Sequence, residues 1–104
     1  MSKFDLKKLW EEFYGIAIEV NDYTGRRMVK SAIGDQNSSC CPTIDHIKPI
    51  SKEGKDIKGN IVICNIMTNE EKGDNFPHWK ANGKKYKAKK VKGKSGEYDI
   101  YLDE

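Results

Sequence analysis

The chain has 104 residues, of which 37% are hydrophobic and 34% charged, and its 19 Lys and Arg against 16 Asp and Glu leave a net charge of +3. This length suits one domain over 1–104 with a modest core, because a chain of about 100 residues buries only a little over roughly 60% of its unfolded surface. Its aromatic and β-branched content excludes a disordered chain. The lack of any apolar run near the roughly 18 residues of a membrane span excludes a spanning helix. With no signal-peptide-like apolar stretch at the start, the expectation is a soluble cytoplasmic protein with no membrane partner.

Ser2 with Asp5 gives a capping signal, and Leu6, Leu9, Trp10 and Phe13 recur at helical spacing, so a helix is expected over about 3–14. Gly15 ends it, as an αL cap would. Ile16, Ile18 and Val20 then alternate with Ala17 and Glu19, and a turn through 21–25 leads to a second run, 26–33. This reads as a hairpin; the alternative continues the first helix to residue 20. Residues 34–42, rich in Gly, Asn, Ser and Pro, read as a loop.

Residues 43–77 hold the most informative stretch. A β-branched run ends on Asp45-His46, a Gly- and Lys-rich loop follows to Gly59-Asn60, and Ile61 to Cys64 have strand length and composition. Thr68 suits a helix N-cap, with Glu71 completing a capping-box spacing. Phe76 and Trp79 read as core residues beyond that helix, and His78 as an exposed aromatic-flanked side chain. Lys84 to Lys92, a turn at 93–96 and Glu97 to Leu102 read as a basic terminal hairpin (84–102) in which Tyr98, Ile100 and Leu102 share a face.

Charge is segregated at this end. Residues 80–94 carry eight lysines and no acid, and residues 97–104 carry four acids. Clustered lysines bind backbone phosphates without reading sequence, so Lys85, Lys87, Lys89, Lys90 and Lys92 are candidate nucleic-acid contacts. Arg26, Arg27 and Lys30 are further candidates, with ion pairs to Glu19 or Asp22 as the alternative. Cys40, Cys41 and Cys64 form neither an even disulfide set nor a Cys-x-x-Cys pair, which suits a reducing compartment. Cys64 on its strand reads as core.

The pattern Asp45-His46-Ile-x-Pro49, then Gly59-Asn60-Ile-Val, then Asn69-x-x-Lys72-x-Asp74-Asn-x-Pro77 resembles the HNH endonuclease family. It is similar in spacing to stand-alone bacterial and phage HNH proteins and to the HNH domain of RNA-guided CRISPR nucleases. Trp10, Tyr14-Gly15 and Asp22-x-x-Gly25-Arg26 are similar to the flank of the stand-alone proteins. The resemblance covers roughly 10–79. It implies an α+β fold: a ββα-metal (His-Me finger) core over 43–77, with an N-terminal helix and flanking β-hairpins.

The same resemblance implies a metal-dependent endonuclease that hydrolyses DNA phosphodiester bonds, one strand per site, and leaves a 5′-phosphate. Phosphodiester hydrolysis needs a nucleophile in line, charge neutralisation and help for the leaving oxygen, which one imidazole and one divalent ion can supply. By resemblance His46 is the general base, Asp45 and Asn69 hold the metal, and Asn60 braces the loop of the His-bearing segment. Lys72 lies one turn after Asn69, on the same helix face, where it can touch the scissile phosphate. Neighbours on a strand point to opposite faces, so Asp45 and His46 require a bulge or a strand end.

Oxygen ligands suit Mg²⁺ or Mn²⁺. The implied partner is double-stranded DNA, with RNA as an alternative and a homodimer or partner subunit for coordinated cuts. Two other readings stand beside it: a noncatalytic basic nucleic-acid-binding module on the same scaffold, and a zinc-structural interaction domain using Cys40 or Cys41, Cys64 and a His. Some HNH relatives carry a zinc ribbon of two Cys-x-x-Cys pairs, a pattern from which this chain departs.

Overall fold

The computed structural model describes residues 2–103, so the two terminal residues of the expected 1–104 domain lie outside the description. It is mixed α and β. In order come α1 (Leu6–Tyr14), β1 (Glu19–Asn21), β2 (Arg27–Val29), β3 (Pro42–His46), β4 (Ile61–Asn65), α2 (Ile66–Lys72), β5 (His78–Ala81), β6 (Lys84–Lys90) and β7 (Tyr98–Leu102), with three short 3₁₀ turns. Three small antiparallel sheets result, β1-β2, β3-β4 and β5-β6-β7.

The β3–β4 ribbon is the middle layer, and the pleat decides what it carries on each side. Alternate residues of a strand face opposite ways. Ile44, Ile61 and Ile63 accordingly join Leu9, Trp10 and Met28 in one core cluster, against α1 and the first hairpin. Val62 joins Ile47, Trp79, Ala81 and Tyr86 in a second cluster, against the C-terminal sheet. The ladder runs without interruption from Pro42 opposite Asn65 to His46 opposite Ile61.

Several boundaries differ from expectation. The first helix begins at Leu6, capped by Asp5, whose carboxylate accepts from the Lys7 and Lys8 amides. Ser2 is not the cap, because its hydroxyl donates to Asp56 instead. Gly15 does end α1, with a positive φ of 62°, and the Trp10 indole donates to the Ala17 carbonyl. That fold-back shortens the first hairpin to three-residue strands and leaves Ile16 and Ile18 exposed. The second run gives way to a 3₁₀ turn at Lys30–Ala32.

The second helix is capped by Asn65, whose side chain accepts from the Met67 amide, and not by Thr68, which lies buried inside it. The C-terminal sheet gains a third strand. His78–Ala81 pairs with β6 across the two-residue turn Asn82-Gly83, where both residues have positive φ, the geometry that an Asn-Gly hairpin turn favours. In β7 Tyr98 is buried and Ile100 packs beside the second cluster, while Leu102 is exposed.

The first hairpin is tied to the ribbon by Asp22. Its buried carboxylate accepts from the Thr24 amide and hydroxyl, the Arg26 amide, the Asn65 amide and the Thr68 hydroxyl. Asn65 completes the junction by donating to the carbonyls of Arg27 and Ser39. Replacing Asp22 by Ala leaves several buried donors unpaired at about 1–3 kcal/mol each, so a loss of at least about 3 kcal/mol is expected. Urea unfolding of Asp22→Ala checks this; a loss under about 1 kcal/mol would show that the network is dispensable.

Candidate active site

Helix α2 lies along β3 so that its inner face meets that strand residue by residue. Asn69 Nδ2 donates to Thr43 Oγ1 at 3.0 Å and approaches the Ile44 carbonyl at 3.4 Å. One turn on, Lys72 Nζ donates to the His46 carbonyl at 3.1 Å and stands 3.3 Å from Asp45 Oδ2. Asn69 and Lys72 therefore do share a face, as their spacing implied.

Lys72 is not presented to solvent. Its side chain is 0% exposed, and the ammonium also sits 5.1 Å from the centre of the Trp79 ring, a cation–π contact. The expectation that it reaches out to a phosphate is corrected: it is an internal counter-ion. Asp45 is its partner, with an Oδ2 that is buried and accepts no hydrogen bond. Burial pushes the Asp45 carboxyl above the usual carboxylate range, and Lys72 opposes the shift only in part.

His46 points the other way. The unbroken ladder carries no bulge, so Asp45 and His46 take opposite faces as the pleat requires, and only the end of the strand brings them near one another. The His46 ring meets Asp56, with Nε2 2.7 Å from Oδ1. Asp56 also accepts from the Lys3 amide and the Ser2 hydroxyl. Those bonds, led by the Lys3 amide and followed by His46, hold its carboxyl down at about 2. A carboxylate accepts, so Nε2 is the donor, and in the neutral ring Nδ1 is then the nitrogen with the lone pair.

Asn60, completely buried, builds the loop between these parts. Its Oδ1 accepts from the Lys48 amide, and its Nδ2 donates to the carbonyls of Lys48 and Lys55. The Ile47 amide adds a bond to the Asn60 carbonyl. The residue clamps both ends of the excursion that presents Asp56, in keeping with a bracing role. Gly54 has its own steric reason: a Cβ there would collide with the Lys48 and Pro49 carbonyls.

The expected phosphate contacts divide. Arg26 pairs with Glu71, Arg27 with Glu19 and Lys30 with Glu11, so the ion-pair alternative describes all three, with Glu71 and Glu11 added as partners. On the hairpin Lys87 faces Asp103 at 3.7 Å and Lys89 lies over the Tyr101 ring. Lys85, Lys90 and Lys92 have no acidic partner among the described residues. His78 is exposed, 3.1 Å from Asp103. Cys64 is buried core, and burial raises its thiol pKa well above the usual range.

Among the described residues no three His, Cys, Asp or Glu side chains gather into a metal cluster. What the site offers a cation is the Asp45 carboxylate, whose Oδ2 is sealed against Lys72 so that Oδ1 is the oxygen left for an ion, and the amide oxygen of Asn69, whose nitrogen is the end bound to β3. Two oxygen donors fit a hard divalent ion that keeps most of its own shell. Lys72 lowers the negative charge there, which weakens the pull of the carboxylate on a cation.

A model of the family described as HNH endonuclease matches residues 21–78. The chain belongs to the HNH endonuclease family. No curated protein and no solved structure matches it. The match runs from the Asp22 turn to the first residue of β5, so it takes in every HNH position discussed above, from Asp45 to Lys72. Membership brings a nuclease-type function and a nucleic-acid substrate. Asp56 and Asp22 were missed as site-building residues in the sequence; the signal for Asp56 was one of two acids, with Glu53, in a loop that also carries four lysines.

The buried pair generates a stability prediction. Removing one partner of a buried ion pair costs about 3–5 kcal/mol, whereas replacing both is often close to neutral. Lys72→Met is therefore expected to destabilise by about that amount, and adding Asp45→Asn to recover most of it. Denaturant unfolding of the two variants checks this, and strictly additive losses would contradict the pairing.

Proposed function

We propose that the protein is a divalent-metal-dependent endonuclease that cuts one strand of DNA per active site. The single observation that carries this reading is the end of β3. There His46 is oriented by Asp56 on one face, and Asp45 and Asn69 offer oxygen donors on the other, all within the segment that the family model covers.

On this reading a phosphodiester crosses the end of β3. His46 Nδ1 takes a proton from a water as its oxygen attacks phosphorus, the bond from phosphorus to the 3′ oxygen breaks, and that oxygen gains a proton from solvent. The products are a 5′-phosphate and a 3′-hydroxyl. Asp45 and Asn69 are the residues that would hold the divalent ion. When bound, Mg²⁺ or Mn²⁺ neutralises charge on the nonbridging and leaving oxygens. Asn60 keeps the His-bearing segment in place, Lys72 fixes Asp45, and Lys85, Lys90 and Lys92 attract the backbone.

Plasmid nicking tests the reading. His46→Ala is expected to lower the rate by roughly 10²-fold to 10⁴-fold with duplex binding nearly intact, since a general base acts in the transition state. Asn69→Ala is expected to abolish cleavage, and Mg²⁺ or Mn²⁺ to support it in the wild type. Nicking by His46→Ala at the wild-type rate, or full activity in a chelator, contradicts the assignment.

Asp56 takes the role of a positioning residue. Asparagine can offer its NH₂ to Nε2 and reverse the tautomer, so Asp56→Asn is expected to lower kcat by about 10-fold to 100-fold with KM unchanged. Asp56→Glu should restore part of the loss. With only two histidines in the chain, long-range ¹H–¹⁵N spectra read the His46 tautomer directly. An unchanged tautomer and rate in Asp56→Asn would remove Asp56 from the mechanism.

A further inference from the structure

We propose that the cleft between the loop after β3 and the turn joining β6 to β7 is a second phosphate site, which grips a phosphodiester of the nucleic acid away from the bond being cut. This rests on the nuclease reading above. The cleft encloses about 230 Å³, and its walls include Lys48, Lys55, Lys90 and Lys94 against one acid, Glu53.

These four lysines are cations that the fold leaves without a counter-charge. Lys30, Lys58, Lys72 and Lys87 each face a carboxylate, but none of the four in the cleft has an ion pair among the described residues. Lys55 donates to the Ser95 hydroxyl at 3.1 Å, and Lys48 lies over the Phe76 ring at 5.8 Å. The nearby Glu97 side chain is packed against Gly59. Ammonium groups held together in this way repel one another, and an anion among them relieves the repulsion. Lysine serves phosphate as a compact point charge.

The cleft is also built and not merely charged. Asn60 bonds to the backbone of both Lys48 and Lys55, the two lysines of its loop wall. On the opposite wall Gly96 lies so close to the Lys55 methylene chain that a side chain there would displace it. Lys48 follows His46 by two residues, at most about 7 Å of chain. A phosphodiester held here would set the register of the strand against His46, and one residue, Asn60, would brace both places.

The test is carried out in the full chain carrying His46→Ala, so that binding is measured without cleavage. Fluorescence anisotropy of a labelled duplex is recorded against salt, with and without Lys55→Ala/Lys94→Ala. The slope of log affinity against log salt is expected to flatten by about 0.9, one phosphate's worth. Lys7→Ala/Lys8→Ala removes the same charge from α1 and is expected to leave the slope unchanged. Lys90→Gln/Lys94→Gln repeats the test without touching the Lys55–Ser95 bond, should the first pair fail to fold. In a chain with His46 intact, the Lys55/Lys94 variant should raise KM for nicking and leave kcat as it was.

An unchanged slope, or equal flattening by the α1 control, overturns the proposal. So does inorganic phosphate that shifts the Gly54 and Gly96 amide resonances without displacing the DNA, which would make the cleft a site for free phosphate. A flattened slope in a protein that nicks no plasmid under any metal would leave the cleft standing and reject the nuclease reading instead.

Discussion

An ammonium group sealed from water has to be neutralised by the protein around it, and Lys72 places that requirement between the middle layer and the C-terminal sheet. Desolvating such a cation costs several kcal/mol, offset here by the Asp45 carboxylate and His46 carbonyl of β3 and by the Trp79 ring of β5. Three contacts on two elements can be made together in only one docking of α2. A shift of one residue would remove Lys72 from Asp45 and Asn69 from Thr43. A seven-residue helix is far too short to persist alone, and this tertiary lock, with the Asn65 cap, is what holds it. The cost falls on Asp45, whose buried oxygen has Lys72 as its cation and no hydrogen-bond donor.

Two other buried side chains extend the lock outward. Asp22 gathers five donors from the first hairpin, the end of β4 and α2, and so fixes the start of α2 at the end of the ribbon opposite His46. Asn60 does the same for the long excursion between β3 and β4, where a loop of this length would otherwise be free to move. Both act through several short bonds from one polar side chain with no access to water, an arrangement that orders its surroundings when every bond is made. A site supported in this way is preorganised: His46 is aimed by Asp56, and Asp56 is aimed by a loop that Asn60 holds at both ends.

The legible parts of the chain were those in which one local rule decides the outcome. The apolar run of β4, the stop at Gly15, the shared face of Asn69 and Lys72, and the bracing role of Asn60 all follow from composition, spacing, turn chemistry or the HNH pattern. Where expectation failed, a distant partner outbid a local signal. Ser2 and Thr68 both have good capping spacing, yet Asp56 and Asp22 claim their hydroxyls. Lys72 has the sequence setting of a solvated helix residue, and only the approach of β5 buries it. β5 itself is readable, from Trp79 and Ala81 alternating with polar neighbours before Asn82-Gly83, but the expected hairpin begins only at Lys84, with Trp79 read as a core residue outside it. The pairing of His46 with Asp56 joins residues ten apart across a loop, which no periodicity encodes.

On the nuclease reading proposed above, Asp45 and Asn69, locked to β3 through Lys72 and Thr43, are where a hard divalent ion would bind. Paramagnetic broadening by Mn²⁺ tests it without relying on turnover: substoichiometric Mn²⁺ is titrated into ¹⁵N-labelled protein bound to a short duplex, and amide signals are followed. With the ion at that place the amides of Asp45, His46 and Asn69 broaden first, and this selectivity disappears in Asn69→Ala. Broadening that begins instead at the C-terminal acids, Asp99 in β7 and Asp103 just after it, or that is indifferent to Asn69, would contradict it.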